Sequence, residues 1–147
     1  MTERRVILVL SGPNLNLLGQ REPEIYGSQT LDDHLAAVRK VAEAAGFAVE
    51  HLQSNAEGEL IDAIQVARGR CAAIVINPGA LGHYAWGLHD ALAVFDGPVI
   101  EVHISNPNAR ESWRHTSVVA PVATGTIAGF GGHGYVLAIE AVRQLLR

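Results

Sequence analysis

A doubly wound α/β layer of about five parallel strands is predicted by three features of this sequence. Short β-branched runs alternate with segments of helical period, start and stop signals bracket those segments, and no linker, repeat or low-complexity tract interrupts them. At 147 residues, 48% of them hydrophobic, the chain fits one domain spanning 1–147 with one fillable core.

The first strand is expected at Arg5–Leu10, an apolar run that empties into a polar loop. The first helix reads from Thr30 to Ala45, with a Thr30/Asp33 capping box, an apolar stripe at Leu31, Leu35, Val38, Ala42 and Ala45, and Gly46 as its stop. Phe47–Leu52 reads as the second strand, and a second helix as Glu57–Arg68, with Ser54 and Glu57 as a possible box. The third strand is Cys71–Asn77, followed by a helix from His83 to Val94. Pro98–Ser105 and Val118–Thr126 complete the strands, and Gly134–Leu146 is the last helix. Strands alternating with helices imply parallel crossovers, here in the flavodoxin-like order 2-1-3-4-5 with helices on both faces. In that order the connections leaving strands 1 and 3 diverge, so a crevice opens beyond their carboxyl ends.

Composition narrows the function. The formal charge is −4, with ten Arg but one Lys, so no basic field attracts nucleic acid. The single cysteine, Cys71, opens an apolar run and reads as a buried, inert thiol. No leader and no apolar stretch of roughly 20 residues is visible, so no membrane is expected and a cytoplasmic setting is.

Polar residues gather where the crevice should be: Asn14 and Asn16 after strand 1, Asn77 after strand 3, and His103, Ser105 and Asn106 after strand 4. Asn77 alone is equally well explained by turn geometry, but three strand ends together point to a site. Glu101 and His103 lie two apart on a strand, hence on one face. A histidine beside a carboxylate there is a candidate acid or base. The Ile104 and Ser105 amides, with the Ser105 hydroxyl, could hold a carboxylate. Arg110 and Arg114, four apart, could share a helical face. His83 and Asp90 are seven apart, two turns along one face: a hydroxyl-binding pair, or a cap and a solvated charge.

Other chemistries lack their motifs. No HExxH, CxxC or His-x-His supports a metal site. "GFGGHGY" (Gly129–Tyr135) lacks the Lys-Ser/Thr ending of a P-loop and reads as close packing of the last helix on the sheet. A non-catalytic flavodoxin-like module binding flavin phosphate or a phosphoryl group would need phosphate-binding backbone after strand 1 or an acidic cluster with a phosphorylatable Asp at a strand end; "SGPNLNLLG" has no acidic residue, and the other strand ends present no suitable Asp.

The loop from Gly19 to Gly27 is glycine-bounded and polar, and suits a lid over the crevice. Its useful residues are Arg21 and Tyr26. A phenol is a poor base at neutrality, but a nearby guanidinium favours the phenolate, which could remove a proton next to a ketone. A tyrosine packing its ring on the surface is the alternative.

Together, "GPNLNLLGQREPEIYG", "QSNAEGELI", "INPGALGHYA", "EVHISNPNARESWRHTS" and "PVATGTIAGFGGHGY" resemble type II 3-dehydroquinate dehydratases over nearly the whole chain. The resemblance implies a flavodoxin-like fold and dehydration of 3-dehydroquinate to 3-dehydroshikimate, without metal or organic cofactor, in a dodecamer of four trimers. By matching position Tyr26 would be the base, Arg21 the lid arginine holding its phenolate and Arg110 a second supporting arginine. Asn14 would position the water that stabilises the enolate, and His103, oriented by Glu101, would protonate the departing hydroxyl. Asn77, the Ile104 amide and Ser105 would contact the substrate carboxylate and hydroxyl. His83, Arg114 and an Asp90 lent by a neighbouring subunit would bind the ring hydroxyls. The only lysine, Lys40, falls in the first helix, so a Schiff-base route has no evident amine. Gly82-His83-Tyr84-Ala85-Trp86 and His89 depart from the family pattern, bordering the hydroxyl pocket and the subunit contact. Shikimate-pathway biosynthesis and quinate breakdown use the same reaction.

Overall fold

Five strands, β1 (Val6–Ser11), β2 (Ala48–Gln53), β3 (Ala73–Asn77), β4 (Val99–His103) and β5 (Gly125–Ala128), pair in parallel in the computed structural model, which describes residues 4–146. Their order, β2-β1-β3-β4-β5, is the expected one. The register sets Ser11 beside Asn77 and Ile76 beside Glu101, so the carboxyl ends of the central strands finish at one level. At that level Gly12 is required, because any Cβ there would run into the Pro78 carbonyl.

Side-chain alternation divides the interior between the two faces of the sheet. Ile7, Val9, Val75 and Val102 face α2 (Leu31–Ala44) and α5 (His133–Leu145). Leu8, Leu10, Ile74 and Ile76 face α3 (Glu57–Ala67) and α4 (Trp86–Ala93). The Thr30/Asp33 capping box forms as expected, with bonds of 2.9 and 3.2 Å, and Gly46 ends that helix at φ 86°. The glycines at the start of α5 serve packing: Gly134 rests on Val102 and Ile127, and Gly132 lies against the His34 ring. Cys71 is buried, and burial pushes its thiol up, away from thiolate chemistry.

Four expectations need correction. The Ser54/Glu57 box does not form, because Ala56 is the N-cap of α3. Ser54 Oγ accepts from the Ala56 amide, and Glu57 reaches across to accept from the Leu88 amide in the first turn of α4. The helix expected over His83–Val94 is split into a 3₁₀ turn, Gly79–His83, and α4. The Gly82 carbonyl, which a continuous helix would use, accepts from the Val118 amide at 2.7 Å instead. His83 and Asp90 therefore share no helical face.

The last strand begins at Gly125, not Val118, because Pro121 lies in a 3₁₀ turn over Ala120–Val122 and the Ser117 hydroxyl takes the Val119 and Ala120 amides. Arg110 and Arg114 share no helix either. Extended backbone at Arg110 separates two 3₁₀ turns, Pro107–Ala109 and Ser112–His115. The remaining boundaries shift by a residue or two. Among the described residues no helix is long and apolar enough to cross a membrane.

Candidate active site

A cavity of about 40 Å³ opens beyond the carboxyl ends of β1, β3 and β4. Asn14, Asn77, His83, His103, Ile104, Ser105, Arg110 and Arg114 line it from the sheet side, and Arg21 and Tyr26 from the lid. Of the expected site residues, Glu101 lies beneath it and Asp90 outside it.

The lid is more regular than a loop. Pro23–Tyr26 forms one helical turn, α1, between Gly19 and Gly27, both with positive φ. That turn carries Tyr26 inward, where it is 8% exposed and packs with the core of the α2/α5 face. Arg110 Nη1 donates to Tyr26 Oη at 2.8 Å and to Ser105 Oγ at 3.0 Å. The Arg21 guanidinium lies over the face of the Tyr26 ring, 4.7 Å from its centroid. Thus Arg110 holds the phenol oxygen, while Arg21 covers the ring. Glu22, with φ 40°, sets its carboxylate 3.8 Å from Arg110 Nη2, joining lid to cavity wall.

Opposite chemistry is built at β4. Its alternation puts Glu101 and His103 on one face, and His103 Nε2 bonds Glu101 Oε2 at 2.6 Å. Ser117 Oγ donates to the same oxygen at 2.8 Å and Thr126 Oγ1 to Oε1 at 3.2 Å. Glu101 is 1% exposed. Burial would push its carboxyl up, but the bond and charge of His103 and the two hydroxyl donors outweigh that and hold it below its ordinary value of 4.5.

A depressed carboxyl stabilises the fold above its unfolded pKa, and that contribution is lost as pH falls through the folded one. Urea unfolding measured from pH 6 downward should therefore show stability falling below about pH 4.5. Glu101→Gln should flatten part of that slope, and an unchanged slope would exclude Glu101 as its source.

His83 donates from Nδ1 to the Thr116 carbonyl at 2.7 Å, and burial pushes its pKa down, so the neutral ring keeps Nε2 as an acceptor. It stacks 6.3 Å from His103 and meets the Trp113 ring edge-on. Arg114 donates to Glu111 and lies over Trp113. Asn14 has left-handed backbone, φ 68°, a conformation asparagine tolerates, and its amide donates to Asn55 Oδ1. Asn77 is 3% exposed, its Nδ2 donating to Tyr135 Oη and its Oδ1 accepting from the Gly79 amide.

Asp90 is 83% exposed on α4 and bonds His89 Nδ1. Asn16 lies in a separate depression with Gln20 and His51, and Asn106 caps the Pro107–Ala109 turn. Lys40 is on the exposed side of α2. Ser117, Thr126, Asn55 and Tyr135 join the site only through the fold. The sequence carries no periodic signal for them, because each matters only through a partner remote in the chain.

The family described as dehydroquinase class II matches residues 5–143. A 3-dehydroquinate dehydratase of Roseiflexus castenholzii is 58% identical over 134 residues, which cover 91% of this chain and 85% of that relative. A second relative, 3-dehydroquinate dehydratase 2 of Pseudomonas aeruginosa, is 55% identical over 92% of both chains. Among solved structures, a type II dehydroquinase from Butyrivibrio crossotus superposes with a TM-score of 0.91 at 46% identity, covering 95% of this chain and 97% of its own.

Proposed function

The chain belongs to the class II dehydroquinase family, and from that premise we propose that its cleft removes water from 3-dehydroquinate to give 3-dehydroshikimate by general acid–base elimination. The observation that carries this reading is the 2.8 Å bond from Arg110 to Tyr26 Oη in the same cavity as His103, which Glu101 bonds from beneath. Elimination from a β-hydroxy ketone needs a base at the acidic C–H, a place for enolate charge and an acid for a poor leaving group.

Tyr26 Oη, held by the Arg110 donor with the Arg21 guanidinium over its ring, takes the proton from the carbon beside the ketone. The electron pair moves onto the ketone oxygen as an enolate, stabilised by a water that Asn14 positions. The enolate then collapses, the carbon–oxygen bond breaks, and His103 protonates the departing hydroxyl so that water leaves. Glu101 orients the imidazole through the 2.6 Å bond to His103 Nε2.

Although the chain carries a net charge of −4, Arg21, Arg110 and Arg114 all line this cavity, which suits an anionic substrate. Asn77, the Ile104 amide and Ser105 receive the carboxylate and adjacent hydroxyl. His83 and Arg114 receive the ring hydroxyls, with Asp90 supplied by a neighbouring subunit of a dodecamer of four trimers. Arg21 and Tyr26 of the lid line this cavity, so substrate enters past the lid. The chemistry uses side chains and water alone, without cofactor or metal, and its product serves the shikimate route to aromatic amino acids and chorismate.

The test mixes purified protein with 3-dehydroquinate and follows the ultraviolet absorbance of the conjugated enone, with chelator present. Enone should accumulate, and its absence would overturn the reading. The same preparation, sized by light scattering, should be dodecameric, and a fully active monomer would sink the role of a borrowed Asp90.

A further inference from the structure

Beneath Asn77 the interior holds polar groups that the elimination does not use. Tyr135 is 0% exposed in α5, and Ser11, at the end of β1, is likewise 0% exposed. A phenol in an apolar core is costly unless its hydroxyl is bonded. Here the Tyr135 oxygen accepts from Asn77 Nδ2 at 3.0 Å and the hydroxyl also bonds the Ser11 side chain. Ser11 Oγ in turn lies 3.0 Å from His51 Nε2.

These bonds form one buried network: Asn77 Nδ2 donates to Tyr135 Oη, the Tyr135 hydroxyl bonds the Ser11 side chain, and Ser11 Oγ bonds His51 Nε2. Burial, together with the charge of Arg39, pushes the His51 pKa down. At the other end the Gly79 amide, which can only donate, holds Asn77 Oδ1 at 3.3 Å. Both atoms of the carboxamide are thereby assigned, and the second Nδ2–H of Asn77 is left for the cavity that Asn77 lines.

We infer that Tyr135, backed by Ser11, is a positioning residue that locks the Asn77 carboxamide so that it presents an N–H donor to the substrate's carboxylate or adjacent hydroxyl. The inference rests on the dehydratase reading, in which Asn77 binds substrate. Tyr135 does not line the cavity and acts only through Asn77.

The experiment measures steady-state kinetics on 3-dehydroquinate for wild type, Tyr135→Phe, Asn77→Ala and the double variant, with folding checked by circular dichroism. On the dehydratase reading Asn77 binds the carboxylate and the hydroxyl on the carbon whose C–O bond breaks, so its misorientation weakens binding of the transition state and is read in kcat/KM. Tyr135→Phe should lower kcat/KM about ten- to hundredfold, the scale of one lost hydrogen bond to a charged group. In the Asn77→Ala background the same substitution should add almost nothing, because the two residues act as one unit. An unchanged kcat/KM in folded Tyr135→Phe, or a full additive loss in the double variant, would overturn the inference.

Should Tyr135→Phe not fold, Ser11→Ala reads the same lock, with a smaller fall in kcat/KM that also vanishes beside Asn77→Ala. An unaltered kcat/KM there is equally decisive against it. Wild type that makes no enone removes the dehydratase reading itself, whereas active wild type with indifferent variants removes only the role of Tyr135.

Discussion

Tyr26→Phe is expected to lower kcat by roughly 10²–10⁴-fold, the range that one positioned acid or base contributes. The substitution deletes a single oxygen. The ring stays where it packs with the α2/α5 core, and Arg21 and Arg110 still lie 4.7 and 5.2 Å from its centroid. Neither the fold nor the lid turn loses an apolar contact, so the unfolding midpoint should barely move. Arg110 keeps its second acceptor, Ser105 Oγ, and so is not stranded. The variant therefore isolates the chemistry of the oxygen from the packing of the ring. Initial rates of enone formation at saturating substrate, with circular dichroism as the fold control, decide the matter. A variant retaining more than about a tenth of wild-type kcat, against that expected range, would mean that Tyr26 is not the base.

Parallel topology is what made so much of the cleft legible. Once β-branched runs alternate with helices, their carboxyl ends must converge at the switch point, and Asn14, Asn77 and His103 fall there. Period two also sufficed to pair Glu101 with His103 on one side of β4. What could not be read locally were segments governed by distant partners. The Val118 amide takes the Gly82 carbonyl and so splits a helix that its own sequence would continue. Ser117 and Thr126 look like ordinary loop and edge residues until β5 pairs with β4 and sets them against the Glu101 carboxylate. For the same reason the relative placement of the two arginines on Tyr26 was out of reach: Arg110 is 84 positions away and arrives at the phenol oxygen through extended backbone, not along a helix.

His103→Ala is expected to cost a comparable factor, roughly 10²–10⁴ in kcat, but at a different bond. Hydroxide is a poor leaving group, and without the imidazole nothing else in the cleft is paired with a buried carboxylate to deliver its proton. The two losses can be separated by incubating 3-dehydroquinate with each variant in heavy water and examining the unreacted substrate by proton magnetic resonance. His103→Ala retains Tyr26 with its Arg110 donor, so the proton beside the ketone should still be removed and replaced by deuterium while water loss stalls. Tyr26→Phe retains the Glu101–His103 pair but cannot make the enolate, so its recovered substrate should remain undeuterated beyond the uncatalysed rate. If the assignments were reversed, the labelling would reverse with them, and His103 would be the base. If neither variant exchanged, proton removal would need both groups at once, and the separate roles of base and acid would have to be abandoned for a concerted elimination.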